Sequence, residues 1–535
     1  MALPTITFNK GQGGLGRPLS GQDYVSGLLF YTANGNLPSG WTTSSRVKAL
    51  YSVQDAINSG ILPAYNKNNQ YADTNYADAT AAQSTIVLVR GATGDTINLK
   101  VTTLQRTVVN NIASISPVVV NLGTYTQTSG DSTLALLGAS VAAFINANTY
   151  THGFSAAFAT ATLTLYFPKS QGTYPNSGSP VVATVTGAIT ATITQPSAAT
   201  PGTQSLQAIW YYHISEFFRI QPKGQLYVGF YAVPSPYLFT EITLMQNYAQ
   251  GIIRQIGIYK DGAAFASADL TAINTEIVTN NDNMYQPLSA LYAADLHATS
   301  DLSTLTNLNT LTANKVTAIV GQDGAGQGAF LYATYGKSIT CLGAALGAVA
   351  LANVAYDIGW VANFNMSNGT ELDTPALSNG QIINNVSQGY LTAIDNLRYV
   401  FLLKYRGNAG SYFNDSHTAT IISSDYAYIE NNRVIDKADR GIYASILPQL
   451  QGPLTLNSDG TLADTTIAYL TSLTAVNLAQ MVRDGELSDY GISIPTTQNV
   501  TSTGNLVINV QLLGIGVSRN IVVNIGYVLA ITGGQ

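Results

Sequence analysis

Charge is the scarcest property of this chain: 10% of its 535 residues are Asp, Glu, Lys or Arg, against roughly a quarter in ordinary soluble domains. Uncharged Ser, Thr and Asn fill the gap, together with 48 glycines and 32 tyrosines. A surface poor in Lys and Glu and rich in Tyr has the composition of protein–protein contacts. It is equally the composition of a β-rich protein with a quiet surface. The net charge is −6 and no basic block occurs, so the electrostatic footprint of a nucleic-acid binder is missing. One cysteine, Cys341, excludes an intramolecular disulfide framework and a cysteine-built metal site. No basic segment followed by an apolar one opens the sequence, which argues against a secretory signal. The longest uncharged apolar run, residues 341–356, is short for a membrane span and broken by Gly343 and Gly347. A soluble, cytosolic protein without a membrane or nucleic-acid partner is expected.

Signatures of catalysis are equally sparse. Residues 8–18, FNKGQGGLGRP, contain a G-x-G-x-x-G at Gly11, Gly13 and Gly16. In a dinucleotide-binding domain the last glycine opens a helix that receives a pyrophosphate. Here Pro18 and Gly21 follow, and no helix can start. The cluster Gly11, Gly13, Gly14 and Gly16 reads instead as a hinge behind a strand at residues 3–8. The stretch GQDGAGQGAFLYATYGKS ends like a P-loop at Gly336-Lys337-Ser338, but the glycine required five residues earlier is Leu331. Four histidines, His152, His213, His297 and His417, are scattered without ligand spacing. No catalytic residue, metal or cofactor is assigned, and an enzyme is not expected.

What is present is a change of period along the chain. YVSGLLFYTA reads as a buried strand and RVKALYSVQDAINSGI as a strand and short helix. From about Gln83 the segments become β-branched, alternating and separated by Gly, Asn and Pro. Between Thr107 and Ser215 the only formal charges are Asp131 and Lys169. One helix-like run, STLALLGASVAAFINAN, interrupts this module, and PSAATPGTQ is its exit linker. Strands and helices then alternate to about residue 350, including a polar helix near 300–310 and a small-residue helix in SITCLGAALGAVALANVAY. Such alternation implies a parallel sheet. The expected fold is α/β plus α+β. An α/β domain of residues 20–83 with 205–376 is interrupted by a mostly-β domain, residues 84–200. A C-terminal α+β domain covers 377–517. Arms at 1–19 and 518–535 carry extended terminal strands.

Polar residues concentrate in residues 405–443. On a helix capped by Ser424, Arg433 and Lys437 share one face, and Asp436 precedes Arg440 by four positions. These charges are either a solvated helix face or inter-subunit ion pairs exchanged between two packings. The helix TIAYLTSLTAVNLAQMVRDGEL has a polar end at Arg483, Asp484 and Glu486. It is either a core helix or a surface facing a partner.

The phrases GRPLSGQDYVSGLLFYTANGNLPSG, EFFRIQPKGQLYVGFYAVP, GAALGAVALANVAYDIGWV and NAGSYFNDSHTATIISSDYAYIENNRVIDKADRGIYASILPQL resemble the contractile-tail sheath proteins of bacteriophages of the Bacteroidetes type. The resemblance spans nearly all of the chain outside the β module, which resembles add-on domains of phage structural proteins. It implies a homo-oligomer of stacked hexameric rings around a tail tube protein, with baseplate and tail terminator proteins as further partners. The implied location is the virion tail, after assembly in the host cytoplasm. It also implies arms that add strands to a neighbour's sheet. Ile6 and Phe8 of the first arm and Val522, Ile525 and Val528 of the last are the candidate strand residues. Arg433, Asp436, Lys437, Arg440 and Arg483 are the candidate inter-subunit or tube-facing charges. A surface adhesin or carbohydrate-binding virion protein, led by the β module, is the alternative.

Overall fold

The computed structural model describes residues 22–33, 36–63, 79–109, 112–260 and 263–527. The N-terminal strand residues Ile6 and Phe8, the glycine hinge at Gly11, Gly13, Gly14 and Gly16, and Val528 lie outside them.

Strand β1 (Val25–Tyr31) is buried along its whole length, as an apolar run must be when it is paired on both edges and covered on both faces. After it come β2 (Val47–Leu50) and α1 (Val53–Asn58), whose first turn is capped by Ser52. A mostly-β stretch follows. Its strands are β3 (Gln83–Val89), β4 (Thr96–Val109) and β5 (Ile112–Thr126). Helices α2 (Leu134–Asn146) and α3 (Thr149–His152) come next, followed by β6 (Ser155–Ala159), β7 (Thr162–Tyr166), β8 (Val181–Thr186) and β9 (Thr190–Thr194). Two sheets, ordered β6-β7-β3-β9 and β5-β4-β8, close with α2 on a core of their own that includes Ile86, Leu99, Leu137 and Leu163.

The α/β body resumes with α4 (Gln207–Ile220), β10 (Gln225–Tyr231), α5 (Glu241–Tyr248), β11 (Gln255–Tyr259), α6 (Ser267–Met284) and β12 (Ser289–Ala293). Strands β13 (Thr312–Ala313), β14 (Val316–Ile319) and β15 (Gly321–Asp323) precede α7 (Gln327–Tyr335) and α8 (Leu342–Leu351). The central six-stranded sheet has the order β14-β12-β11-β1-β10-β2. Its pairings are parallel except at the β2 edge. Alternate residues of β1 feed two cores. Leu28 and Phe30 join α4 and α8, and Val25, Leu29 and Tyr31 join α5 and α6, as period-two strand geometry requires.

The last third adds β16 (Pro375–Leu377), α9 (Gln388–Asn396), β17 (Leu402–Leu403), β18 (Tyr412–Phe413) and β19 (Ala419–Thr420). Beyond them lie α10 (Ile429–Ile446), α11 (Asp464–Arg483), β20 (Asp489–Ser493), α12 (Val500–Thr503) and β21 (Asn509–Leu513).

Three expectations change. The segment near 300–310 is two single 3-10 turns, Leu302–Thr304 and Leu308–Thr310. The side chains of Asp301 and Asn307 accept from backbone N–H groups two residues on, a local alternative that competes with helix. The helix expected from Ser424 begins at Ile429 instead, after the extended residue Tyr428. The division expected at residue 377 falls inside one continuous core, because Leu377, Leu391, Ile394, Tyr399 and Ala419 pack with the sheet. A separate small core, with Val354, Val434, Leu478 and Met481, holds α10 and α11 together.

Candidate assembly interface

Strands β20 and β21 pair antiparallel from Asp489↔Leu513 to Ser493↔Asn509. Tyr490, Ile492, Val510 and Leu512 turn one face onto the α10–α11 core. The sheet has two strands only, and among the described residues nothing pairs with either outer edge. A two-stranded sheet is marginal alone, and its unpaired edges are templates for another strand.

The chain leaves β21 as residues 514–527, without helix or strand. Arg519 is the only charged residue after Asp489. Its Nε donates to Asp415 Oδ1 at 2.9 Å, and its outer nitrogen donates to Glu430 Oε1 at 2.5 Å and Asp357 Oδ2 at 3.1 Å. The guanidinium carbon lies 3.5 Å from the centre of the Tyr428 ring, within cation–π range. Three elements supply the nest: the turn after α8 gives Asp357, the segment before β19 gives Asp415, and the first turn of α10 gives Glu430. Each carboxylate is itself held. Asp357 accepts from the Gly359 N–H, Asp415 from the Ser416 N–H, and Glu430 from the Ser416 hydroxyl. Burial opposes the Arg519 charge, but the three carboxylates outweigh it and raise its pKa. Asp357 is pushed up by burial and by the charges of Glu430 and Asp415. Beyond the nest, Ile521, Val522, Val523, Ile525 and Tyr527 are exposed, Val522 by 81% and Ile525 by 92%.

A second charged system ties α10 to the body. Arg433 donates to the Ala352 and Asn353 carbonyl oxygens at 3.2–3.3 Å, placing a cation on the carbonyl end of α8. Burial pushes its pKa down to about 10. Asp436 pairs with Lys315 at 2.5 Å. Lys437 bridges Asp23 at 2.9 Å and Glu486 at 2.6 Å, and Arg440 meets Asp23 at 3.0 Å. Burial works against the Asp23 charge, yet Lys437 and Arg440 hold its pKa below the ordinary carboxylate value.

The sequence matches the DUF2586 N-terminal domain over residues 3–417 and the DUF2586 C-terminal domain over residues 425–532. The chain belongs to the DUF2586 family. No curated protein matches it. It is similar to the helical sheath of the anti-feeding prophage in its contracted state, at 13% identity and a TM-score of 0.42, over 59% of this chain and 81% of that one. It is also similar to the sheath tail protein of Listeria innocua, at 9% identity and a TM-score of 0.35, over 92% of this chain and 95% of the other. The sheath tail protein of Desulfitobacterium hafniense gives 11% identity and a TM-score of 0.37, over 96% and 100%.

Within this DUF2586 chain the expected interface charges separate. Arg433, Asp436, Lys437 and Arg440 have partners in their own chain and are buried or half-buried, so the face they share is not a freely solvated one. A helix that packs inward on α11 and β12 must neutralise its charges locally. Arg483 is exposed at the end of α11 and donates to Gln480 one turn earlier. Glu486, expected beside it on a polar end, is buried under Lys437. The Arg519 nest was not anticipated. Its one signal in the sequence is a lone cation in a long uncharged tail. Among the described residues no group of three or more His, Cys, Asp or Glu side chains could hold a metal ion. No described helix is long and apolar enough to cross a membrane.

Proposed function

We propose that this DUF2586 chain is a structural subunit of a contractile phage tail. It polymerises as stacked hexameric rings around a tail tube and contracts to drive the tube through the host envelope. It performs no catalysis. The observation that carries the reading is the open two-stranded β20–β21 sheet followed along the chain by an exposed apolar run, Ile521, Val522, Val523, Ile525 and Tyr527. Such a run finds a sheet edge in a second copy by strand addition. A contact that does not close on itself continues as a helix. The family phrases quoted above support the same assignment, and the low charge suits contacts made mainly by backbone and apolar groups.

Purified full-length protein is expected to form hollow cylinders in negative-stain images, alone or with tube protein. Truncation of residues 520–535 should leave a folded, soluble subunit that no longer polymerises. Protein that stays monomeric by light scattering at high concentration, with and without tube protein, overturns the assignment. Glycan binding by the isolated β module without any polymer would favour the adhesin.

A further inference from the structure

We propose that Asp357, Asp415, Glu430 and Tyr428 form an exchangeable guanidinium socket, filled by Arg519 of the same chain in the free subunit and by Arg519 of a second copy in the assembly. This rests on the sheath reading for the second copy, but not for the socket itself.

The socket belongs to the body and the plug to the tail. The carboxylate side chains are 3–12% exposed, whereas Arg519 is 25% exposed. The tail reaches the socket from β21 and leaves it as an unpaired apolar run. Among the described residues past Arg519, 520–527, none joins a helix or strand, so the guanidinium is the anchor from which this stretch leaves the body.

Vacating the socket leaves three buried carboxylates facing one another. Removing one partner of a buried ion pair is costly because the remaining charge is uncompensated. A monovalent point charge would not repair this well. The nest asks for donors on two nitrogens of one plane, Nε toward Asp415 and the outer nitrogen toward Glu430 and Asp357, and for a flat face to lie on the Tyr428 ring, and a guanidinium supplies both. Release without replacement is therefore strongly opposed. Exchange with the same residue of another copy restores every contact, the economy that underlies exchange of identical elements between protomers. Glu430 also borders a groove of about 410 Å³ walled by Ala355, Tyr426, Val434, Leu487, Leu512 and Ile515. An incoming tail has space beside the socket.

The test uses a fluorescent peptide of residues 514–527 and the full-length chain. In the Arg519→Ala protein the socket is empty, and saturable binding at least about tenfold tighter than to the wild type is expected. The same peptide with Ala in place of Arg519 should not bind, and adding Glu430→Gln to the Arg519→Ala chain should abolish capture. Arg519→Lys keeps a charge in the nest without the planar fork and should fall between the two. It serves as the acceptor if Arg519→Ala is insoluble. Equal binding to wild type and Arg519→Ala, or no binding to a folded Arg519→Ala chain, overturns the socket. Peptide capture by a protein that never forms cylinders removes the sheath reading and leaves the socket standing. Cylinders without capture do the reverse.

Discussion

Gly343 of α8 stands so close to His213 of α4 that a Cβ built on it would lie 2.1 Å from the His213 carbonyl oxygen. One turn on, a Cβ at Gly347 would meet the Phe217 carbonyl oxygen at 2.9 Å. The two helices cover one face of the central sheet, and α8 rests on Gly257 of β11 through Leu342 and Leu346. Backbone-to-backbone contact of this kind leaves no room for a methyl group.

Gly343→Ala should therefore destabilise the body by about 3 kcal/mol, the upper range for overpacking where backbone cannot yield. Gly347→Ala should cost less. Gly389, in α9 with nothing within 4 Å of its virtual Cβ, is the control, and Gly389→Ala should be neutral or stabilising by up to ~1 kcal/mol. Denaturant midpoints with unchanged slopes check all three. A tolerated Gly343→Ala would mean that α4 and α8 can part.

Stability should fall as pH rises towards 8. Asp323, at the end of β15, is pushed up to about 8 by burial and by the charge of Glu371, against the lowering effect of the Gly326 and Ala325 N–H groups. Tyr212 also faces this pair, with Glu216 behind it. A carboxyl whose folded pKa exceeds its unfolded 3.8 keeps its proton when folded and loses it when unfolded. Its contribution is full below about pH 4 and disappears as pH climbs through about 8, with at most about 1.4 kcal/mol per unit at stake. Asp323→Asn keeps the acceptor for Gly326 and should remove the slope, making the variant the more stable protein at pH 8. Thermal melts from pH 5 to 8.5 decide this. Parallel profiles for the two proteins would count against it.

The entry to β1 is fixed by α10 through Asp23. Asp23→Asn leaves Lys437 and Arg440 facing a neutral group, although Lys437 keeps Glu486. Breaking a buried pair costs about 3–5 kcal/mol. With Asp23 22% exposed, about 2 kcal/mol is the expectation, screened weakly by salt. Arg483→Glu on the exposed end of α11 should leave stability within about 0.5 kcal/mol of wild type. Only if α11 faces the tube should its binding change at low salt. Unfolding curves and co-sedimentation with tube protein check the two effects separately.

The β module should be removable. Its ends lie side by side, joined by the Gln83↔Thr200 bridge and by the Thr203 hydroxyl accepting from the Thr80 N–H. Its core shares no residue with the other cores. The chain with residues 84–200 replaced by a short Gly-Ser link should fold and still form cylinders. The isolated module should melt cooperatively. Loss of folding in the deleted chain would show that the packing of β4 of the module against α7 of the body holds the body together.

Local pattern was enough for many of the regular elements, though not for the turns at 302–310 or for the start of α10. Seven consecutive apolar or small residues make β1, the β-branched alternation marks the inserted module, and strand–helix alternation fixes a parallel sheet, because periodicity is written in neighbouring residues. The lone Arg519 was visible as a letter and silent as to role. Its partners Asp357, Asp415 and Glu430 are up to 162 positions away, and no spacing rule links residues that meet only after the chain has folded. The charges of α10 show the same division. Their spacing on one face could be read from the sequence, but whether that face met water, a second copy or Asp23 of its own chain depended on where α10 docks. Docking is set by shape and burial in the assembled cores, so the tertiary structure decided which charges close inside the subunit and which group holds the tail.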